Sequence, residues 1–262
     1  MKKPMVTNVT KAAPGKASSL EPGHNYAQTN LQLYEQMRRL GYNAQDIARV
    51  RQAYDLAIRL FSSQYRANGK PFINHLVGTA SIVLSRSLPT SLAITGVMHA
   101  SYTHGRAAFP RPNFRAIKRR ELQRILGQEI ESLVSTYTHF RLTPAVLREM
   151  AQNPGTLNDV QRNVLIVRLA NDLEDHLDNG LLYCVKKKSI YNDEGSVKDL
   201  AKVAGFLEQS EIYDEIQGIR RANHTTVIPI SLRNPQSDSF EVPPNPTRWL
   251  RRRLKSLLGR NE

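Results

Sequence analysis

The sequence predicts an all-α fold. Between residues 31 and 222, apolar residues recur every three or four positions, which is typical of helices that bury one face. Glycine, proline and capping residues divide this region into stretches of helical length. The segment with the most strand-like composition, 225–232, contains Pro229, which argues against a regular strand. We therefore expect a helical protein without a substantial sheet.

The predicted helices follow one another through short connections. Gly41 ends the first helix, and Asn43 is suited to cap the second. Gly69 and Pro71 mark a turn before the third helix, and Pro89 lies near the start of the fourth. The predicted spans are 31–40, 44–66, 72–84, 89–104, 114–126, 128–140, 143–152, a long helix from 156 or 158 through 181, and a pair within 196–222.

The two ends of the chain differ from the helical region. Residues 1–27 lack apolar periodicity and predict a disordered, flexible leader before a helical domain at 28–224. A polar, proline-rich composition predicts an extended linker at 225–246. Residues 247–262 predict a basic amphipathic helix, a pattern that suits an anionic membrane surface. Docking on its own core and a mobile tail are the alternatives for this segment.

Composition narrows the class of protein. The net charge is +14, but the two ends carry +3 and +5 of it, which leaves a moderate surplus of +6 on the helical region. No nucleic-acid-binding motif accompanies this charge, so we expect no nucleic-acid partner. The single cysteine excludes an internal disulfide framework, and no apolar run is long enough to cross a bilayer. We expect a cytoplasmic protein, or one held at the membrane periphery by its C-terminal segment.

Four sequence blocks resemble the hydrolase domain of RelA/SpoT-like enzymes, which act on the alarmone (p)ppGpp. Residues 64–75, QYRANGKPFINH, are similar to the family's H-x-x-Q-x-R-x-S-G-x-P-Y-I-x-H, and 94–104 lie where the family carries A-A-L-L-H-D-x-x-E-D. Residues 127–134 resemble its F-G-x-x-V-x-x-L-V segment, and 164–175 resemble its helix ending in K-L-A-D-R-L-H-N. The resemblance implies an HD-domain-like helical bundle.

The resemblance also implies a site for Mn²⁺ or a similar ion, held by two histidines and two carboxylates. His75 and His99 match the histidines, but Ala100 and Asn171 stand where the carboxylates belong, and Phe61 replaces the histidine that precedes the first block. The candidate metal-binding residues are His75, His99, Asn171 and Asp172. Because neutral ligands compensate the charge of a divalent ion poorly, we expect ordinary (p)ppGpp hydrolysis to be absent.

Further residues match positions beside the family's reaction centre. Thr103 and His104 stand where the family has its water-positioning Glu-Asp pair, so they are the candidate catalytic residues. Arg66 matches a nucleotide-contacting arginine, and with it Gln64, Lys70 and Asp175 are the candidate substrate-binding residues. Tyr102 and Tyr137 fall at core positions of amphipathic helices and are expected to serve packing.

Two alternatives for the centre stay open at this point. In one, a shifted ion is held by His75, His99, His104 and Asp175. In the other, both histidines are hydrogen-bonded core residues, and a partly solvated acidic face is formed by Asp172, Glu174, Asp175 and Asp178.

The resulting functional expectation is a degenerate HD-domain protein that binds a nucleotide or another phosphorylated small molecule, or acts as a regulatory module. The alternative is an active metal-dependent phosphohydrolase with a rearranged site. A third hypothesis is a peripheral membrane or scaffolding protein that uses residues 247–262.

Overall fold

The computed structural model describes residues 26–105, 114–184, 190–233 and 238–242. Over these ranges the chain is all-α, as predicted. The helices are α1 (Asn30–Arg39), α2 (Ala44–Phe61), α3 (Phe72–Ser85), α4 (Thr90–Met98), α5 (Phe114–Leu126), α6 (Gln128–His139), α7 (Pro144–Gln152), α8 (Asp159–His176), α9 (Glu194–Phe206) and α10 (Ser210–Ala222). Two short strands, β1 (Gln64–Tyr65) and β2 (Phe240–Glu241), form an antiparallel pair.

Side-chain caps explain where two of the longest helices begin. At the start of α2, the Asn43 side chain accepts a hydrogen bond from the backbone N–H of Asp46 at 2.8 Å, as predicted. At the start of α8, Asn158 and Gln161 form a reciprocal capping box. This box decides between the two starts that the sequence allowed for the long helix.

Three helices end earlier than the apolar periodicity predicts. α2 stops at Phe61, where Ser62 leaves the helical conformation with a ψ of 135°. α4 stops at Met98, and turns follow it. α8 stops at His176, where Leu177 has a ψ of 147°, and a 3-10 helix follows. Buried side chains continue directly after α4, and half-buried ones follow α2 and α8, so periodicity alone does not mark these ends.

Helices α3 and α4 form the centre of the core. Both are apolar on nearly every side, and almost all their residues are buried, which is typical of a helix surrounded by others. α3 packs against α4 and α8, while α2 and α6 pack against α4. Because α8 lies beside α3, its last turn reaches the first turn of α3.

Residues at both edges of the predicted domain pack back onto the helices. Tyr26 and Ala27, which the sequence assigns to the leader, are buried. The Tyr26 hydroxyl donates to Glu215 at 2.6 Å, and the Ala27 N–H donates to the Ser81 hydroxyl at 2.7 Å. Part of the predicted linker forms β2, whose pairing with β1 ties it to the connection between α2 and α3.

The predicted leader and C-terminal basic helix fall almost wholly outside the described residues, which begin at 26 and end at 242. Among the helices that the structure describes, none combines the length and apolarity needed to span a membrane.

Phe72, the first residue of α3, is a central packing residue of the core. Its ring is fully buried and stacks on Phe61 at 5.0 Å between centroids. Phe72→Ala should lower the free energy of unfolding by about 3–5 kcal/mol, because the lost ring leaves a cavity that the core cannot fill. Val227→Ala, at a side chain that is 80% exposed, should change it by less than about 0.5 kcal/mol. Urea unfolding followed by circular dichroism measures both, and equal losses would contradict this packing.

Candidate functional site

Three helices bring the two predicted histidines and an acidic turn together. His75 lies in the first turn of α3, and His99 directly follows α4. Their rings lie 5.3 Å apart between centroids, at 78° to one another. The last turn of α8 contributes Glu174 and Asp175, and both carboxylates reach His75. Three of the four sequence blocks that carried the resemblance therefore meet in one cleft.

Glu174 is the residue of this cleft that sequence reasoning missed. It was assigned to a partly solvated acidic face, but it is buried, with 2% of the residue exposed. One carboxylate oxygen faces Nδ1 of His75, and the other accepts a hydrogen bond from Nζ of Lys70. A signal was present, because Glu174 continues the buried stripe of Val167 and Ala170 at helical spacing.

Gly78 makes room for the buried Glu174. A Cβ at this α3 position would lie 2.7 Å from Cγ and 2.8 Å from Oε1 of Glu174. Both distances are well below van der Waals contact, so any side chain here would force Glu174 to move. The absence of a side chain at residue 78 is thus what allows α8 to place a carboxylate against α3.

Asp175 is neutralised by a second cation. A guanidinium nitrogen of Arg66 donates to Oδ1 of Asp175, and the same oxygen lies 3.6 Å from Nδ1 of His75. The Arg66 guanidinium carbon also lies 5.5 Å from the centre of the Phe72 ring. Burial opposes the charge on Arg66, but the Asp175 carboxylate outweighs it and raises the pKa of Arg66. Arg66 and Asp175, both predicted to bind substrate, are therefore bound to one another.

Hydrogen bonding sets the same tautomer in both histidines. Nδ1 of His75 donates to Glu174, and Nδ1 of His99 donates to the backbone carbonyl of Gly96 at 2.8 Å. Each ring therefore carries its lone pair on Nε2. Nε2 of His75 is buried and has no hydrogen-bond partner among the described residues. This orientation, with one ring nitrogen held by a carboxylate and the other available, is common in metal-binding histidines.

Burial keeps both rings neutral. It lowers the pKa of His75 to about 3, and the positive charge of Arg66 adds to this effect. Burial also lowers the pKa of His99 well below its ordinary value, with His75 as the next contributor.

The carboxylates of the cleft do not fit a divalent metal as they are arranged. One ligand atom from each of His75, Glu174 and Asp175 lies within 4.8 Å of the others, a spacing that suits an ion. Each of these carboxylates, however, already binds a protein cation, Lys70 or Arg66. A divalent ion would have to displace both cations, or add two uncompensated charges to a buried cluster, which is costly.

The other predicted site residues take different places. Thr103 and His104 lie in the turn after α4, where Nδ1 of His104 contacts the Thr103 hydroxyl at 2.9 Å and its ring lies 5.2 Å from Phe72. Gln64 belongs to β1 and pairs in register with Glu241. These positions border the histidine cleft through Phe72 and the connection between α2 and α3.

Asp172, a predicted metal ligand, does not belong to the His75 group and lines a neighbouring cavity instead. Its carboxylate accepts hydrogen bonds from the Tyr191 hydroxyl at 3.2 Å and from the Asn171 amide at 3.4 Å. Burial raises the pKa of Asp172 to about 6. The side chain of Asp178, assigned to the same acidic face, lies outside the described residues.

This cavity has a volume of about 730 Å³ and opens beside the last turn of α8. Three arginines line it, Arg168, Arg220 and Arg233, together with Asp175, His176 and Tyr191. Asp175 contacts both His75 and the cavity, so it connects the two features.

Comparisons with known proteins cover the chain only in part. A family model described as a domain of unknown function, DUF6817, matches residues 59–141, a segment that holds Lys70, His75 and His99 but not α8. The fold is similar to a solved structure of a metazoan ortholog of SpoT that hydrolyzes ppGpp, with a TM-score of 0.45 and 13% sequence identity. That similarity covers 67% of this chain and 96% of the other. No curated protein matches the sequence.

The close approach of Glu174 to Gly78 predicts opposite effects for two helical glycines. Gly78→Ala should lower the free energy of unfolding by about 1–3 kcal/mol, because the new methyl group displaces a buried carboxylate. Gly218→Ala in α10, where nothing lies within 4 Å, should raise it by about 0.5–1 kcal/mol. Urea unfolding measures both variants. Stabilisation of the protein by Gly78→Ala would contradict the placement of Glu174.

The buried neutral state of His99 predicts a loss of stability in acid. The unfolded chain takes up a proton at this residue below a pH of about 6.5, and the folded protein does not. Its stabilising contribution is therefore present above that pH and falls as the pH drops, by about 2 kcal/mol between pH 7 and 5.

Unfolding of variants at the two pH values tests this account. His99→Gln should lose about 2 kcal/mol less than the wild type between pH 7 and 5. His224→Gln, at an exposed position, should keep the full wild-type loss. The same pH dependence in the wild type and His99→Gln would rule out a neutral His99 as its source.

Proposed function

We propose that this protein is a helical, HD-like module that binds a nucleotide or another phosphorylated small molecule without hydrolysing it as the alarmone hydrolases do. The observation that carries the proposal is the cavity of about 730 Å³ beside the histidine cleft, with its three arginines. Its volume lies within the range of small-molecule sites. Guanidinium groups bind phosphate oxygens through paired N–H donors, and the three arginines outnumber the two carboxylates of the lining, Asp172 and Asp175, which favours an anionic ligand.

Two residues of the cavity lining each have a buried polar atom whose hydrogen bond is not satisfied, which favours a ligand that forms hydrogen bonds. Nε of Arg168 and Nε2 of His176 have no hydrogen-bond partner in the part of the chain that the structure describes. His176 donates through Nδ1 to the carbonyl of Asp172 at 2.7 Å, so its Nε2 is an acceptor. Both atoms are buried in residues that line the cavity, and a ligand with hydrogen-bonding groups, such as a nucleobase or a ribose, would satisfy them once these side chains turn toward it.

A buried aromatic side chain, Tyr191, packs against two other residues of the cavity lining. The Arg220 guanidinium carbon lies 5.2 Å from the centre of the Tyr191 ring, and Arg220 donates to the Tyr191 carbonyl at 2.7 Å. The ring of His176 meets Tyr191 edge-on at 5.1 Å. Arginine and tyrosine in contact are well suited to a ligand that combines a flat base with phosphate groups.

The histidine cleft supports the second half of the proposal, the lack of alarmone hydrolysis. Ala100 and Asn171 remove the two carboxylates of the family site, and Lys70 and Arg66 bind the two carboxylates that replace them nearby. A site that activates water needs a charged centre and a proton acceptor near the reacting phosphorus. Here both carboxylates are committed to cations of the protein.

A second candidate function is metal-dependent phosphohydrolysis with a rearranged site. It is favoured by the available Nε2 of His75, next to the ring of His99. Turnover of a phosphorylated nucleotide that His99→Ala abolishes would support this function and contradict the first.

Calorimetry with the full chain tests the binding proposal. Wild-type protein should bind ppGpp or GDP and release no phosphate or pyrophosphate during prolonged incubation. Arg233→Ala should weaken binding about tenfold, because it removes a charge-assisted contact at an exposed edge of the cavity without disturbing the core. Arg49→Ala, an exposed arginine of α2, is the matched control and should bind like the wild type. Equal affinities for all three proteins, or no binding by any, would contradict a ligand site in this cavity.

A further inference from the structure

The connection between α2 and α3 holds Lys70 in a defined position. The Arg66 N–H donates to the Lys70 carbonyl at 2.8 Å, and the Lys70 N–H donates to the Asn68 side chain at 3.0 Å. Gly69 adopts a positive φ of 87°, which a glycine tolerates without strain. The loop therefore directs the Lys70 side chain inward, where it is 20% exposed and its ammonium group meets a carboxylate that is 1% exposed.

Each carboxylate beside His75 is paired with one positively charged side chain in a buried cluster. Lys70 is bound to Glu174, and Arg66 is bound to Asp175. Glu174 has its second oxygen against the N–H of the neutral His75, so both of its oxygens are engaged. The cluster has no net charge in this state and is stable without a further cation.

The two nitrogens of the His75 ring differ in what their surroundings offer an ion. On the Nδ1 side, the carboxylates are present but are bound to Lys70 and Arg66. Nε2 has no hydrogen-bond partner among the described residues, but the nearby His99 ring is neutral and brings no negative charge. Neither side combines available charge with available donor atoms, and hard divalent ions require both.

We propose that Lys70 is a built-in cation that takes the charge-compensating role of a divalent metal, and that it keeps a latent His75–Glu174–Asp175 metal site closed. The ammonium group binds Glu174 in the same position from which an ion would have to approach that oxygen. Removal of this one positive charge leaves the Glu174 carboxylate uncompensated, so that a divalent ion then has only Arg66 to displace from Asp175, and a shift of the His75 proton to Nε2 makes Nδ1 available as a ligand. This inference concerns the ions of the cleft and does not depend on the ligand of the neighbouring cavity.

Thermal unfolding of the full chain with EDTA or with Mn²⁺ tests the proposal. The wild-type melting temperature should be the same in both, and metal analysis should find far less than one manganese per chain. Lys70→Met keeps an unbranched side chain, one atom shorter than lysine, without its charge. This variant should melt lower than the wild type in EDTA and gain about 5–10 °C at a Mn²⁺ concentration of about 100 times its Kd.

Two control variants separate charge from bulk. Lys70→Arg retains the positive charge and should respond to Mn²⁺ no more than the wild type does. Lys202→Met removes a lysine of α9 whose side chain is 65% exposed, and it should also show no response.

Several outcomes would overturn the proposal. One is a wild-type protein that contains stoichiometric manganese or is stabilised by it. Another is a Lys70→Met variant that gains no affinity for Mn²⁺ by calorimetry. If Lys70→Met does not fold in EDTA, refolding in Mn²⁺ decides, and failure to recover there counts against a latent site. Nucleotide binding by the wild-type protein in EDTA is measured as a separate experiment. If nucleotide binding requires a metal ion, this inference is overturned, but the proposed function is not contradicted.

Discussion

The buried carboxylate of Glu174 is the constraint on which the centre of this protein depends. An ionised carboxylate inside a helical core is costly unless charge and hydrogen bonds compensate it. Here Lys70 supplies the charge, His75 supplies an N–H donor, and Gly78 supplies the space. Lys70, His75 and Gly78 lie within nine consecutive residues, so one carboxylate ties α8 to α3 and to the loop directly before α3.

The same constraint determines the state of the histidines. Because Glu174 accepts from Nδ1 of His75, the lone pair of that ring is directed to the opposite nitrogen, next to His99. Burial keeps the pKa of both rings low, so neither contributes a positive charge that would compete with Lys70. The result resembles a metal-binding arrangement in its geometry, while its charges are already balanced by lysine and arginine.

Helix α8 links this balanced centre to the cavity. Successive turns of its C-terminal end place Glu174 against α3 and Asp172 and His176 in the cavity, while Asp175 touches both. A ligand that displaced Arg66 from Asp175 would therefore act on the cleft as well as on the cavity.

Much of the fold followed from local sequence, but the character of the site did not. Within the described residues, periodicity and capping residues determined the order of the helices and most of their starts, because these depend on neighbours three or four positions away, and the family resemblance implied that His75 and His99 lie close together. The contacts of Glu174 with Lys70 and His75 and the position of Asp172 in the cavity depend on residues about 20 to 100 positions apart, and no local pattern encodes such partners. The sequence alone therefore determined which groups are available for chemistry. Only the tertiary structure decided that the acidic groups are neutralised by the protein's own cations, because compensation of a buried charge depends on distances that arise when the helices pack.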